Sequence, residues 1–289
     1  MELARTKDEV RRAVAAKRAA GKVVGLVPTM GFFHEGHLAL MRICAGRAGF
    51  TVASLFVNPI QFGDGEDLQH YPRDEDRDRE LAEDAGVDLL FVPSEAEMYA
   101  PGRSTYVEET VIGQGLCASS RPGHFKGVTT VVAKLFNIVQ PDLAVFGRKD
   151  LQQLMVIRRM VRDLDFPVEI IEGPLVREVD GLAMSSRNVY LDDSQRAGAP
   201  KMYAVLMDAA GQIADGRVDL GGVLAMAGRK IERKTGGRVE YLEALDDGLE
   251  PATDLDNCAY LAAALHMGPT RLIDNVRVPP GSSGDGPAH

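Results

Sequence analysis

The sequence predicts an α/β fold, in which a parallel sheet domain is followed by a second, smaller α+β domain. Short apolar runs alternate with helix-compatible segments in the first part of the chain, as in a parallel sheet covered by helices on both faces. Beyond Pro174 the pattern changes to an Ala-rich helical stretch and three strand-like runs, which indicates an antiparallel sheet. The predicted domains are 1–175 and 176–289, and residues 279–289 hold so little apolar surface that a disordered tail is predicted there.

The first domain begins with an amphipathic helix that ends near Gly21. Apolar runs at 23–27 and 51–57 predict buried strands, and the helix-compatible segment at 38–48 between them completes a βαβ unit. We therefore expect a Rossmann-like domain. Its further predicted elements are strands at 88–92 and 143–146 and helices whose apolar faces run over 128–139 and 151–161.

The second domain carries a different pattern. A long Ala-rich stretch at about 195–214 is predicted to be helical. Apolar runs at 239–244, 259–265 and 271–276 predict three strands after it. This order of elements favours an α+β arrangement with the strands paired antiparallel.

Composition excludes several classes of partner. Acidic residues number 42 against 33 basic ones, and the net charge of −9 is opposite in sign to that of a typical nucleic-acid-binding domain. No apolar run approaches the roughly 18 residues that a membrane span needs. Cys44, Cys117 and Cys258 are far apart, and the N-terminal segment has no signal-peptide core, so a cytoplasmic protein is predicted. Small-molecule partners are expected, with neither nucleic acid nor membrane among them.

The first candidate site is the loop PTMGFFHEGH at 28–37, which links the first buried strand to the helix after it. Ligands of open α/β sheets bind at such junctions. Backbone N–H groups at a helix N-terminus attract phosphate, Gly36 allows close approach, and His34 and His37 can donate hydrogen bonds to phosphate oxygens. The histidines are three residues apart rather than the four of HExxH, which argues against zinc. A structural pair of histidines is the alternative.

A second candidate, FGRKDLQQ at 146–153, also follows a predicted parallel strand. Lys149 offers a mobile positive charge to a polyphosphate, and Gly147 lets the backbone approach it. Asp150 and Gln153 have the spacing of a helix N-cap and its N3 partner, so a structural role for Gln153 stays open at this point.

Three other segments carry polar groups that suit a ligand and also suit ordinary structure. MSSR at 184–187 offers two hydroxyls and a guanidinium, which are phosphate donors, although a turn with an exposed arginine explains it equally. NPIQFG at 58–63 presents the amides of Asn58 and Gln61, which suit a small molecule with hydroxyl groups. The acidic run at 74–84 is predicted to be a solvated helix face, one of whose carboxylates could meet Mg²⁺ through water.

Taken together, the loops closely resemble the pantothenate synthetase (pantoate–β-alanine ligase) family of the HxGH nucleotidyltransferases. The blocks PTMGFFHEGH, FVNPIQFG, RPGHFKGV, FGRKDLQQL and VREVDGLAMSSRNVYL occur in that family's order over about residues 24–191. The resemblance implies an enzyme that condenses (R)-pantoate with β-alanine, using ATP as a substrate, through a pantoyl-adenylate, and that releases AMP and pyrophosphate. It also implies a homodimer. Mg²⁺, with unknown ligands, is expected to share the charge of the β- and γ-phosphates. Because an acyl-adenylate hydrolyses easily, the second domain is expected to close over it as a lid and exclude water.

The resemblance assigns roles to individual side chains as well. His37 matches the family's proton donor, and His34 and Lys149 join it as donors to the phosphoryl oxygens. Gln61 and Gln153 match the residues that hold pantoate, and Gln61 also lies near the family's β-alanine site. Asn58 lies beside them in the sequence block and is included in the substrate site.

One departure from the family lies inside the residues assigned to ATP. The family commonly has a small residue followed by Leu after PTMG, whereas this chain has Phe32 and Phe33, which add bulk beside the nucleotide. The residues that the resemblance assigns to ATP are Met30, Gly31, Phe32, Phe33, His34, Glu35, Gly36, His37, Gly147, Arg148, Lys149, Asp150, Val176, Met184, Ser185, Ser186 and Arg187.

Two rival functions fit the same loops when only the residues are considered. One is transfer of a nucleotide to a phosphate or alcohol acceptor, which forms no acyl-adenylate. The other is a non-catalytic nucleotide-binding module, which would bind ATP without exchanging pyrophosphate in the presence of pantoate.

Overall fold

The computed structural model describes residues 1–63, 65–216 and 219–280. The chain divides into two compact units, Met1–Val176 and Arg177–His289. Within the predicted tail, Pro279 and Pro280 lie outside any helix or strand, and residues 281–289 lie outside the described residues.

The first unit is built on a parallel sheet of six strands, which confirms the predicted fold class. The strands are β1 (Glu2–Ala4), β2 (Val24–Thr29), β3 (Phe50–Leu55), β4 (Leu89–Phe91), β5 (Leu143–Gly147) and β6 (Glu169–Gly173). Their order across the sheet is β1-β4-β3-β2-β5-β6. Strands β2 to β5 coincide with the four apolar runs of the sequence, because strands buried on both faces need continuous apolar side chains. The short strands β1 and β6 were not predicted.

Helices cover both faces of this sheet. Alternate side chains of a strand point to opposite faces. Val145 of β5 packs in one buried cluster with Met41, whereas its neighbour Phe146 has its ring 6.5 Å from that of Phe136 on the other side. The helices of the unit are α1 (Lys7–Ala19), α2 (Glu35–Ala45), α3 (Glu75–Asp84), α4 (Glu95–Met98), α5 (Cys117–Ser120), α6 (His124–Val139) and α7 (Leu151–Asp163).

The connections give the sheet a switch point, at which the order of successive strands across the sheet reverses. From β2 the chain proceeds to β3 and then β4 on one side, and it then crosses to β5 on the other side of β2. The segments that leave the carboxyl ends of β2 and β5 therefore diverge and open a crevice between them. Such a switch point is where open α/β sheets bind ligands.

Among the described residues of the second unit there are three α-helices and an antiparallel sheet in the order β7-β8-β9. The helical stretch predicted at about 195–214 is present, but it is divided into two helices at Pro200, which has no N–H to donate. The helix over 220–235 was not predicted. The elements are α8 (Asp193–Gly198), α9 (Lys201–Ala214), α10 (Leu220–Thr235), β7 (Arg238–Leu245), β8 (Tyr260–Met267) and β9 (Thr270–Arg277).

A close packing contact fixes the segment after β3 against α6. A Cβ atom at Gly127 of α6 would lie 2.5 Å from the carbonyl oxygen of Ile60 and 2.6 Å from the Cα of Gln61. Both contacts are with backbone, which has no freedom to move aside. Gly127 therefore sets how closely Gln61 can approach the helix.

We expect Gly127→Ala to lower the free energy of unfolding by about 1–3 kcal/mol, the usual cost of overpacking. Gly211→Ala in α9 is the matched control, because nothing lies within 4 Å of its added Cβ. That variant should be as stable as the parent or more stable by up to about 1 kcal/mol, because Ala favours helix over Gly. Chemical denaturation of both variants checks this, and equal stabilities would contradict the packing argument.

Candidate active site

The carboxyl ends of β2, β3 and β5 lead into three of the predicted loops. Residues 30–34 follow β2, Asn58 and Gln61 follow β3, and Arg148 begins the turn after β5. Because β2 is paired with both β3 and β5, these segments leave the same edge of the sheet. The sheet thus places the HEGH loop at the switch point, between the amide-bearing segment and the Lys149 turn.

Two imidazoles lie at the N-terminus of α2, that of His34 just before the helix and that of His37 in its first turn. His34 is the N-cap of the helix, and its Nδ1 accepts a hydrogen bond from the backbone N–H of Gly36 at 3.1 Å. The backbone N–H of His34 in turn donates to Nδ1 of His37 at 3.4 Å. The ring centres are 4.1 Å apart. Since both Nδ1 atoms accept, a neutral ring carries its proton on Nε2, and each imidazole has one N–H left to donate.

Both imidazoles are uncharged near neutral pH. Burial is the main cause that lowers the pKa of His34 to about 2 and that of His37 to about 3. The neighbouring His37 ring and the positive charge of Lys149 lower the pKa of His34 further, and Lys149 also lowers that of His37. His37 is therefore a hydrogen-bond donor in this structure rather than a charged acid.

The loop before the imidazoles has an unusual backbone. Gly31 has φ +92° and Phe32 has φ +53°, both in the left-handed region. Phe33 is 1% exposed and packs in the core, so its bulk lies beneath the loop, whereas the ring of Phe32 lies 5.4 Å from the guanidinium carbon of Arg77. The backbone N–H groups of Phe32 and Phe33 each donate to a carboxylate oxygen of Asp78 at 2.6 Å.

Asp78 corrects the interpretation of the acidic run at 74–84. The run does form a helix, α3, but Asp78 is 1% exposed and is not part of a solvated face. Burial raises the pKa of its carboxyl, against the opposing effect of the two N–H donors. The sequence contained a signal, because Asp78 shares a helix face with the buried Ala82 at i+4.

The amides after β3 form a buried network. The Nδ2 of Asn58 donates to Oε1 of Gln61 at 2.9 Å and to the carbonyl oxygen of Gly127 at 3.1 Å. The hydroxyl of Tyr99 donates to Oδ1 of Asn58 at 2.6 Å, and Nε2 of Gln61 donates to Sδ of Met30 at 3.2 Å. Asn58 is 1% exposed, and its amide is hydrogen-bonded to Gln61, Gly127 and Tyr99. Tyr99 was not among the predicted site residues.

A second group holds the main chain of Gln61. Nδ1 of His124 lies 2.8 Å from the carbonyl oxygen of Gln61, and its Nε2 lies 3.1 Å from the Arg121 guanidinium. Burial and the charge of Arg121 lower the pKa of His124 to about 4, so this ring is neutral and donates from Nδ1. Arg121 also pairs with Glu66, at 2.5 Å. Arg121 and His124 belong to the block RPGHFKGV, but spacing alone gave no signal for their contact with Gln61.

The turn after β5 separates two neighbouring glutamines. Gln152 is buried and donates from Nε2 to the carbonyl oxygens of Ile112 and Gly115, at 2.7 and 2.8 Å. Gln153 is partly exposed, and its amide forms no hydrogen bond with the described residues. Asp150 occupies the N-cap position of α7, as its spacing suggested, but its side chain makes no capping hydrogen bond, so the alternative of a capping role for Gln153 finds no support. The Gln153 amide is thus available to a ligand.

The other residues assigned to ATP occupy less distinctive positions. Glu35 is exposed and pairs with Arg42, and Arg148 lies 3.6 Å from Glu172. Val176 ends the first unit. MSSR at 184–187 belongs to the second unit, where the Ser185 hydroxyl accepts a hydrogen bond from the backbone N–H of Arg187 at 3.2 Å and caps a short 3₁₀ helix.

The comparisons with known proteins agree with this architecture. A family model described as pantoate-beta-alanine ligase matches residues 2–277. The chain belongs to the pantoate-β-alanine ligase family. Pantothenate synthetases from Moorella thermoacetica and Pseudomonas savastanoi pv. phaseolicola are each 50% identical to it, and each match covers 96% of this chain and 98% or 99% of the relative. The family that the sequence blocks predicted is thereby confirmed.

Two solved structures of pantoate-β-alanine ligases extend the comparison to the fold. The pantothenate synthetase of Thermus thermophilus is 45% identical, with a TM-score of 0.90 over 97% of this chain and 100% of that chain. The ligase of Francisella tularensis, complexed with β-γ ATP and β-alanine, is 32% identical, with a TM-score of 0.82 over 96% of this chain and 97% of that chain. Within the described residues, no helix is long and apolar enough to cross a membrane.

Because the fold keeps His37 neutral, the free energy of unfolding should depend on pH. The folded pKa of His37 is about 3, below the ordinary 6.5, so the unfolded chain binds more protons between these values. The free energy of unfolding should therefore fall as the pH drops below about 6.5. His37→Gln should reduce the fall between pH 7 and pH 5 by about 1–2 kcal/mol.

Urea denaturation at a series of pH values measures this slope. His70→Gln, which removes an exposed imidazole, is the control. An unchanged slope in His37→Gln would show that His37 is not held neutral by the fold.

Proposed function

We propose that this chain condenses pantoate with β-alanine, using ATP and passing through a pantoyl-adenylate, with AMP and pyrophosphate as the other products. Membership of the pantoate-β-alanine ligase family supports the reaction. The observation that supports the site is that the HEGH loop after β2 and the Lys149 turn after β5 leave the same edge of the sheet, at the switch point.

In the first step a carboxylate oxygen of pantoate adds to the α-phosphorus of ATP, and the bond to the β-phosphate oxygen breaks. The carboxylate is already ionised, so this step needs no general base. Negative charge gathers on the phosphoryl oxygens, and we assign its stabilisation to the Nε2–H groups of His34 and His37 and to the Lys149 ammonium. The remaining residues assigned to ATP from the family resemblance, including MSSR at 184–187, stay a prediction.

We assign pantoate to the amides of Gln61 and Gln153. The Gln153 amide has no hydrogen bond with the described residues, and Gln61 is oriented by Asn58 and held through its carbonyl oxygen by His124. In the second step the neutral amine of β-alanine attacks the acyl carbon of the adenylate. The bond between that carbon and the phosphate oxygen breaks, the nitrogen loses a proton, and AMP leaves.

Mg²⁺ is proposed to arrive with the β- and γ-phosphates of ATP. The described part of the chain has no group of three or more His, Cys, Asp or Glu side chains that could hold a metal ion, and Mg²⁺ commonly binds through substrate phosphates. When bound, it would share the negative charge of those phosphates.

The assembly state and the location of the protein are also proposals. A homodimer is proposed from the family resemblance, and light scattering tests it. A cytoplasmic location is supported by the buried thiols of Cys44 and Cys258, which form no disulfide.

Isotope transfer tests the proposed reaction most specifically. Purified protein is given Mg²⁺, ATP, β-alanine and pantoate that carries ¹⁸O in both carboxylate oxygens. We expect one labelled oxygen to appear in AMP and the other in the amide carbonyl of the product. Nucleotide transfer to another acceptor would leave AMP unlabelled, and a non-catalytic module would release no AMP. Either result would refute the proposal.

Lys149→Ala should raise the barrier to adenylation by about 2–4 kcal/mol, the loss seen when one oxyanion donor is removed. Pantoate-dependent exchange of pyrophosphate into ATP measures that step. Lys230→Ala is the control, since Lys230 pairs with Asp208 in the second unit. Exchange at the parent rate in Lys149→Ala would remove Lys149 from the assigned role.

A further inference from the structure

The loop that precedes the imidazoles is held in a conformation that its own residues disfavour. Phe32 has φ +53°, a backbone conformation in which a side chain with a Cβ atom is crowded. A residue other than glycine persists there only when its surroundings determine the conformation. The contacts of Phe32 should therefore show what holds the loop.

Those contacts converge on one carboxylate. Oδ2 of Asp78 accepts the N–H of Phe32 and Oδ1 accepts that of Phe33, each at 2.6 Å. Successive backbone N–H groups that point to one side form a concave anion site, and Asp78 fills it from within the protein. The fit is close, because a Cβ atom at Gly31 would lie 3.0 Å from Oδ2 of Asp78.

Asp78 differs from the acidic residues around it. It is 1% exposed, whereas Asp76 and Asp84 on the same helix are exposed. The exposed guanidinium of Arg77, which also lies over the ring of Phe32, is 3.9 Å from Oδ1 of Asp78. A carboxylate is costly to bury, so its two short bonds to the loop are the main compensation for its burial.

The segment that Asp78 holds, Phe32 and Phe33, is followed directly by His34, the first of the two imidazoles. Phe33 is fixed on both sides, by its N–H on the carboxylate and by its ring in the core. The next residue is His34, whose backbone N–H meets Nδ1 of His37 and whose Nδ1 meets Gly36. A rotation of the peptide between Phe33 and His34 would therefore move both imidazoles.

We propose that Asp78 is a positioning residue for adenylation, holding the backbone of Phe32 and Phe33 so that the Nε2–H groups of His34 and His37 face the reacting phosphate. This inference rests on the proposed function. Because the imidazoles act on charge that develops in the transition state, their misplacement lowers kcat more than it raises KM.

Asp78→Asn tests the inference, with Asp76→Asn as the matched control on the same helix. The asparagine keeps the volume but replaces one acceptor by an NH₂ group that faces a backbone N–H. We expect the kcat of pantoate-dependent pyrophosphate exchange to fall about 10- to 100-fold, the scale of a small misplacement of catalytic groups. The KM values for ATP and pantoate should change less than about threefold, and Asp76→Asn should match the parent.

Hydrogen exchange gives a second readout that does not depend on activity. The amides of Phe32 and Phe33 should exchange faster in Asp78→Asn and at the parent rate in Asp76→Asn. If the parent shows no pantoate-dependent exchange of pyrophosphate, the proposed function fails while the amide data still test how the loop is held. Parent values of kcat in a folded Asp78→Asn protein, or unchanged protection of both amides, would overturn the inference.

A variant of the loop keeps the test decisive if Asp78→Asn does not fold. Phe32→Gly removes the crowding of the left-handed conformation, so the loop should need the carboxylate less. Asp78→Asn should then be folded in the Phe32→Gly background and should lower kcat by a smaller factor there than in the parent. Failure to fold in both backgrounds, or an equal loss of kcat in both, would contradict the positioning role.

Discussion

The candidate site depends on two imidazoles that the fold keeps uncharged. Burial removes water from His34 and His37, and the nearby charge of Lys149 adds to the cost of protonating either ring. Their Nδ1 atoms are occupied by backbone N–H groups, so each ring has a single donor whose direction is set by the start of α2. One ammonium and two neutral donors can meet a phosphate without three like charges being packed together.

The sheet and its surroundings hold these groups in place. The pairing of β2 with β5 sets the HEGH loop and the Lys149 turn at the same edge of the sheet, although they lie about 115 positions apart in the chain. After the neighbouring strand β3, the side-chain amide of Asn58 forms hydrogen bonds with Gln61, Gly127 and Tyr99. The side chain of Gln61 is therefore oriented by a buried hydrogen-bond network.

The sequence predicted the parts of this arrangement that have a strong local signal. Strands β2 to β5 are continuous apolar runs, and the loops after them carry recognisable blocks. Strand β1 has three residues, and β6 alternates exposed or half-buried residues with only Ile171 and Gly173 buried, so neither gives such a run. The helix α10 was missed although Val223, Ala227 and Ile231 recur at helical spacing, because its mean composition is polar and Gly-rich.

The site residues that escaped prediction are those whose role depends on distant contacts. In the sequence nothing sets Asp78 apart from the other acidic residues of its run. Its role depends on the contact with the loop at Phe32, which only the fold creates. Gln152 and Gln153 are adjacent and chemically identical. The segment at 112–117 distinguishes them, because its backbone forms hydrogen bonds with the amide of Gln152. Such assignments need the tertiary neighbours, which no spacing rule contains.

The most direct test of this account is ¹⁵N NMR of the histidine side chains, assigned with single His→Gln variants. Long-range ¹H–¹⁵N correlations distinguish a protonated Nε2 from a protonated Nδ1 in a neutral ring. The account predicts that His34 and His37 carry the proton on Nε2 and do not titrate between pH 8 and about pH 5, well above their lowered pKa values. Titration of either ring near pH 6.5, or a proton on Nδ1, would contradict it.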